Sequence, residues 1–178
     1  WMMVMQRSSG ILMPVFSLPS PYGIGTLGQA ARDFVDFLKA AGQSWWQILP
    51  VGPTGYGDSP YQSFSAYAGN PYLIDLDLLR QDGLLTQAEI DNAFWGSDPG
   101  RVDYGALYQN RLTVLAAACR RGWQRNAGAV ARFSSENQGW LPDYALFMAL
   151  KRHFDGQPWH AWPEDIRLRR PEALERYR

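Results

Sequence analysis

The 178 residues predict an α/β chain: one βαβ unit, a long aromatic loop, then a series of helices. Three observations carry that expectation. Two short apolar runs, residues 10–16 (GILMPVF) and 45–49 (WWQIL), have the length and bounding turns of buried strands. Between them Leu27, Ala31, Phe34 and Leu38 recur at three- and four-residue spacing, which puts them on one helix face. Beyond residue 80 the periodic segments are helical.

Taken in order, Pro14 marks the end of the first run. Residues 17–25 (SLPSPYGIG) form a turn-rich loop, and Thr26 is the candidate N-cap of the helix that runs to Ala41. Gly42 suits the C′ position, where a left-handed backbone stops a helix. Strand, helix, strand implies a right-handed unit with parallel strands. Gly23, Gly25 and Gly28 spell G-x-G-x-x-G, but the next strand ends Leu49-Pro50-Val51-Gly52-Pro53 without the acidic residue that a dinucleotide fold needs. The three glycines therefore read as a tight turn into a helix.

After the second run, Pro50, Gly52, Pro53, Gly55 and Gly57 break regular structure. The loop continues with Tyr56, Tyr61, Phe64, Tyr67 and Tyr72 among Asp58, Ser59, Gln62, Ser63, Ser65 and Asn70. Disordered linkers are poor in large apolar groups, so a loop this aromatic is expected to be ordered and functional. Aromatic faces beside hydroxyl and amide groups suit a ligand with apolar C–H faces and many hydroxyls, and a sugar fits that description.

Residues 73–79 (LIDLDLL) alternate apolar and acidic at first and read as a short strand or extended segment. Asp82-Gly83 is a turn, and Thr86 with Glu89 forms a capping box for a helix near residues 87–94. Asp103 caps a helix over residues 104–121 that Gly122 ends. Weaker and stronger helical patterns cover residues 126–133 and 141–154, a loop with Trp159 and Trp162 follows, and the charged tail 166–178 is expected to be helical. Trp159 and Trp162 are open to two readings, sugar stacking or core packing.

Composition narrows the function. A net charge of zero argues against nucleic acid or an anionic membrane as the main partner. Cys119 is the single cysteine, so there is no disulfide framework and a reducing, cytoplasmic setting is the natural expectation. It lies in an apolar helical run and is expected to be a buried, inert thiol. No apolar run approaches the ~18 residues needed to span a bilayer. The start, Trp1 to Met5, is too short for a signal core and lacks a cleavage site, and a chain opening on Trp1 suggests an excerpt. His153 and His160 have no partner at ligand spacing, so no metal site is expected.

Residues 52–76 (GPTGYGDSPYQSFSAYAGNPYLIDL) resemble the signature of the amylomaltases, the 4-α-glucanotransferases of glycoside hydrolase family 77. The likeness extends back through SLPSPYGIGTLG, ARDFVDFLKAAG and WWQILP, and forward through RVDYGALY, DYALFMALK and PWHAWP, in the family's order and spacing.

That resemblance implies the N-terminal portion of a TIM (β/α)8 barrel, its first two βα units, with a mostly helical inserted subdomain. The expected division is residues 1–80 for the barrel start and substrate loop, 81–165 for the insertion and 166–178 for a helical lead-in to further strands. The implied reaction transfers an α-1,4-glucan segment to another glucan or to glucose by a retaining double displacement. Such chemistry uses two carboxyl groups roughly 5 Å apart. The family's catalytic carboxylates match no residue here, so no catalytic residue is assigned and the chain alone is expected to be inactive. Asp58 reads as a turn former through its side chain, and Asp75 as a structural partner. Ser59, Tyr61 and Gln62 match the family's donor-side S-P-Y-Q segment, with Tyr61 stacking on a glucose ring. Tyr56 and Tyr104 match a second glucan site of some members. The implied partners are maltooligosaccharides and α-1,4-glucans, with no cofactor. A stand-alone, non-catalytic α-glucan-binding module is the alternative, and a protein-interaction domain is a third reading.

Overall fold

The computed structural model describes residues 7–55 and 57–177. Residues 1–5, on which the reading of the N-terminal start rests, lie outside the described residues, as does Tyr56. Two compact units are present, Trp1–Arg125 and Asn126–Arg178.

The first unit opens with the βαβ element. Strand β1 (Gly10–Leu12) pairs in parallel with β2 (Trp45–Gln47), Ile11 opposite Trp46, and helix α1 (Gln29–Ala40) connects them. Both strands are shorter than expected. Pro14, which has no N–H to give a ladder, instead starts a 3₁₀ turn over Val15–Ser17 that buries Val15. Nor are the strands buried on both faces. Trp46 packs edge-on against Phe34 of α1 at 5.1 Å, whereas Leu12 and Trp45 alternate to the other side and are 53% and 66% exposed. Gly42 closes α1 at φ +68°, as expected.

Thr26 does not cap α1. Gly28 occupies the cap position, and the Thr26 hydroxyl donates instead to Asp75 Oδ2 at 2.5 Å. Residues 73–79 are likewise not a strand. Asn70 accepts from the Tyr72 amide and opens a 3₁₀ turn over Pro71–Leu73, and Asp75 Oδ1 accepts from the Leu78 amide to cap helix α2 (Leu76–Gln81). An acidic residue among leucines is a cap signal as well as a strand signal, and here the backbone took the cap.

Helix α3 (Gln87–Asp91) begins with the expected capping box of Thr86 and Glu89. Asp103 Oδ1 accepts from the Ala106 amide at the start of α4 (Tyr104–Arg125). Gly122 does not end α4, because it is buried on the face that packs inward and the helix runs on to Arg125. Cys119 is exposed rather than buried, since it lies about 100° round α4 from the buried Ala118 and off the inward-facing stripe. Leu76, Leu85, Ile90, Val114 and Ala118 share one core with Tyr22. That common core is why residues 81–125 pack with the βαβ segment, so the compact units divide after Arg125 rather than at residues 80 and 165.

The second unit holds α5 (Ala127–Glu136), α6 (Leu141–His153), a 3₁₀ turn over Trp159–Ala161, α7 (Glu164–Arg167) and α8 (Pro171–Tyr177). Its core joins Leu146 and Leu150 of α6 to Trp162, Ile166 and Ala173. Trp162 is thus a packing residue, only 6% exposed, while Trp159 is 56% exposed. His153 packs edge-on between Phe154 and Tyr177. Among the described residues no helix is long and apolar enough to cross a membrane.

Candidate functional site

The loop after β2 is ordered by its own polar groups. Its base closes where the Asn70 amide donates to the Val51 carbonyl at 2.7 Å, and an isolated antiparallel bridge joins Thr54 to Ser63 farther out. Gly52 allows this pinch, since a Cβ there would lie 2.5 Å from Ser63 Oγ. On the returning limb the Ser65 hydroxyl accepts from the amides of Tyr67 and Ala68. These bonds hold the ends while leaving the crown free to present side chains.

Ser59, Tyr61 and Gln62 sit together on that crown, in a turn in which the Gln62 amide donates to the Ser59 carbonyl at 3.1 Å. Ser59 is half-buried and Gln62 is exposed. Tyr61 is 72% exposed, with no hydrogen bond or ring contact to a described residue. An aromatic ring left this open on a pinned loop is available to a ligand face.

Asp58 does not make the turn through its side chain. Its own backbone is left-handed at φ +53°, a conformation Asp tolerates better than most residues, and its amide donates to the Gly55 carbonyl. The carboxyl edges a small cavity of about 10 Å³ that it shares with Thr54, Pro60, Asn70 and Tyr104, space for about one water-sized sphere. Burial pushes the Asp58 carboxyl above the usual carboxylate range. Burial also raises Tyr104 and Tyr72, and the nearby Asp58 charge raises both further. Tyr104, at the start of α4, is therefore brought against the loop. The second-site pairing of Tyr104 with Tyr56 falls on a residue outside those described.

The carboxylates flanking the loop are otherwise engaged. Asp75 gives Oδ1 to a helix cap and Oδ2 to Thr26. Asp77 accepts from the Tyr22 hydroxyl at 2.9 Å and pairs with Arg80. Asp103 is a cap.

One residue escaped the sequence reading. Arg111 of α4 is fully buried, with Nη2 donating to the Ile74 carbonyl at 2.5 Å and Nη1 to the Tyr22 carbonyl at 3.3 Å. Its guanidinium lies 5.7 Å from the Trp95 ring centre. Desolvation lowers its pKa to about 10, so it remains charged at neutral pH. The signal was present in the sequence: Leu107, Arg111, Val114 and Ala118 fall on one stripe, which places a charge at a core position.

The glycine pattern after β1, expected to make a tight turn into a helix, also serves close packing, and of the three only Gly23 has the left-handed backbone of a turn, at φ +76°. A Cβ on Gly23 would meet the Trp95 carbonyl at 2.2 Å, one on Gly25 the Val15 carbonyl at 2.1 Å, and one on Gly28 Asp75 Oδ2 at 1.9 Å. In the second unit, a cavity of about 290 Å³ lies beside α6, with Leu146, Phe147, Trp159, Trp162 and Arg169 in its walls. None of the family-matched loop residues lines it.

Comparison with known proteins places these features. The model of the 4-alpha-glucanotransferase family, glycoside hydrolase family 77, matches residues 13–178. A 4-alpha-glucanotransferase of Thermus thermophilus is 50% identical over 177 residues, covering 97% of this chain and 34% of that protein. One from Streptococcus pneumoniae is 48% identical over 175 residues, covering 97% and 35%. The solved structure of an amylomaltase from Streptococcus agalactiae in complex with acarbose superposes with a TM-score of 0.92 at 44% identity, covering 97% of this chain and 35% of that one. The chain thus spans about a third of the length of these relatives. Matched by the family model from residue 13 to 178, the chain belongs to the 4-alpha-glucanotransferase family, glycoside hydrolase family 77.

Proposed function

We propose that this chain supplies donor-side glucan binding to a 4-alpha-glucanotransferase reaction, in which an α-1,4-glucan segment passes to glucose or another glucan by retaining double displacement. The single observation that carries the reading is the exposed Tyr61 on a loop whose base is tied at Val51 and Asn70. Its ring lies against a glucose face, and Ser59 and Gln62 bond sugar hydroxyls. The loop follows a parallel strand, and barrel sites sit at the C-terminal ends of such strands. The acarbose bound by the Streptococcus agalactiae relative supports an oligosaccharide ligand.

Bond breaking is assigned to carboxylates that this chain does not contribute. A retaining mechanism needs a nucleophile and an acid/base pair. Asp75, Asp77 and Asp103 are committed to caps and hydrogen bonds, and Asp58 is an acid of raised pKa against a minute cavity. In this reading residues 1–80 open a (β/α)8 barrel, 81–165 form its inserted subdomain and 166–178 lead toward further strands, a division by topology rather than by packing. Tyr104 joins Tyr56 in a second glucan site, the reaction needs no cofactor, and the setting is cytoplasmic.

Calorimetric titration of the 178-residue chain with maltoheptaose, with transfer on maltotriose followed in parallel, tests the proposal. Binding without transfer is expected. Transfer by this chain alone would place a nucleophile within it, and absence of binding would remove the glucan loop.

A further inference from the structure

The guanidinium of Arg111 is a buried charge whose hydrogen bonds go to backbone carbonyls. No carboxylate of the described residues is within ion-pair distance of it, although the Asp75 charge lies near enough to favour its charged form, and its Nε has no hydrogen-bond partner. An apolar side chain at this place in the stripe would pack without that cost, so the charge has to be explained by what it holds. It holds two carbonyls of two different loops. Tyr22 belongs to the segment after β1, and Ile74 is the first residue past the 3₁₀ turn that ends the segment after β2. The same two segments meet again where the Leu27 amide donates to the Leu73 carbonyl at 3.0 Å and where Thr26 meets Asp75. Trp95 fixes the guanidinium from one side, its own indole N–H held by the Ile90 carbonyl and its ring edge-on to Tyr22.

We propose that Arg111 is a positioning residue that clamps the loop after β1 to the root of the Tyr61 loop and so sets where Ser59, Tyr61 and Gln62 stand. The glucan part of this inference rests on the proposed function above; the clamp itself does not. A rigid planar fork presents two donors in fixed directions to the Tyr22 and Ile74 carbonyls at once, whereas the ammonium of a shorter, flexible lysine stem has no preorganised pair of donors and loses more entropy in holding both.

The test uses Arg111→Met and Arg111→Lys in the 178-residue chain, with amide hydrogen exchange and maltoheptaose calorimetry as separate readouts. Arg111→Met is expected to speed exchange at the amides of Gly25, Leu27, Ile74 and Leu78, to leave α6 unchanged, and to weaken maltoheptaose binding about tenfold or more. Arg111→Lys is expected to fall between Met and wild type in both. If Arg111→Met does not fold, the lysine variant carries the test alone. Wild-type exchange at those four amides in Arg111→Lys would overturn the two-carbonyl clamp. Local exchange that rises in Arg111→Met with unchanged sugar affinity would overturn the coupling to the Tyr61 loop. A wild-type chain that binds no maltoheptaose, with the exchange differences still present, would uphold the clamp and defeat the glucan reading instead.

Discussion

Asp75 stands where a side chain on Gly28 would have to be: a Cβ there would lie 1.9 Å from Asp75 Oδ2. The carboxylate cannot swing aside cheaply, because Oδ1 caps α2 and Oδ2 receives Thr26. Gly28→Ala should therefore destabilise the chain by about 1–3 kcal/mol, the range for overpacking a tight site. Gly128→Ala is the control. It lies in α5 with nothing within 4 Å of the added carbon, and should be neutral or stabilise by at most about 1 kcal/mol. Urea denaturation read at both units checks the pair, and equal midpoints would show that the Gly28 contact relaxes freely.

Tyr61 presents the opposite case. At 72% exposure it contributes little to the fold, so Tyr61→Ala should change stability by no more than about 0.5 kcal/mol. Maltoheptaose affinity should fall about tenfold or more if the ring is a stacking platform. Tyr61→Phe keeps the ring and should retain most of the affinity. Calorimetry decides between the two roles: an alanine variant that binds normally makes Tyr61 a surface residue of the loop and nothing more.

How far the sequence could be read depended on whether a residue's partners were local. The Thr86–Glu89 capping box, the Asp103 cap and the Gly42 stop involve residues within a few positions of one another, and all stand where local rules place them. Thr26 and Asp75 are 49 positions apart, and no local rule pairs them. Thr26 reads as a cap, and Asp75 as a structural partner in a short strand without the identity of that partner, because the contact across the fold is invisible in sequence. Arg111 was legible as a charge on an apolar stripe, but its two carbonyl partners were not. On the loop, sequence named the aromatic and hydroxyl residues; that Ser59, Tyr61 and Gln62 cluster on a crown with a tied base required the backbone. The sequence also missed that β1 and β2 expose one face, since an apolar run does not say which neighbours will cover it.

Asp58 separates a turn residue from a catalytic one. Its pKa is raised by burial, so the folded state holds the proton more tightly than the unfolded chain does. The sign follows: the charged form weakens folding, and that loss sets in as pH rises from the ordinary carboxylate range through the raised value. Asn tolerates the left-handed backbone at φ +53° at least as well as Asp. Asp58→Asn should therefore match or exceed wild-type stability at pH 7 and lose that advantage in acid, with maltoheptaose binding kept. Thermal melts from pH 3 to 8 test this, and a variant less stable than wild type at pH 7 would mean that the carboxylate has a favourable partner.

Glu89 gives the reverse pH dependence. Its carboxylate accepts two bonds from Arg121 and two from Thr86, its backbone amide and its hydroxyl. The Arg121 hydrogen bonds, then the Thr86 bonds, lower its pKa from the ordinary 4.5 to about 2. Here the unfolded chain binds the proton first, so the contribution is complete above about 4.5 and disappears as pH falls towards 2. Glu89→Gln removes the titration and weakens both the cap of α3 and its tie to α4. The variant should be less stable than wild type at pH 7, and the two urea midpoints should converge as pH is lowered below 4.5. Because the Arg121 pair is exposed, the difference at pH 7 should also shrink at about 1 M salt, where the screening length is about 3 Å. Curves that stay parallel down to pH 2.5 would show that the cap works through shape alone, with the charge of Glu89 adding nothing.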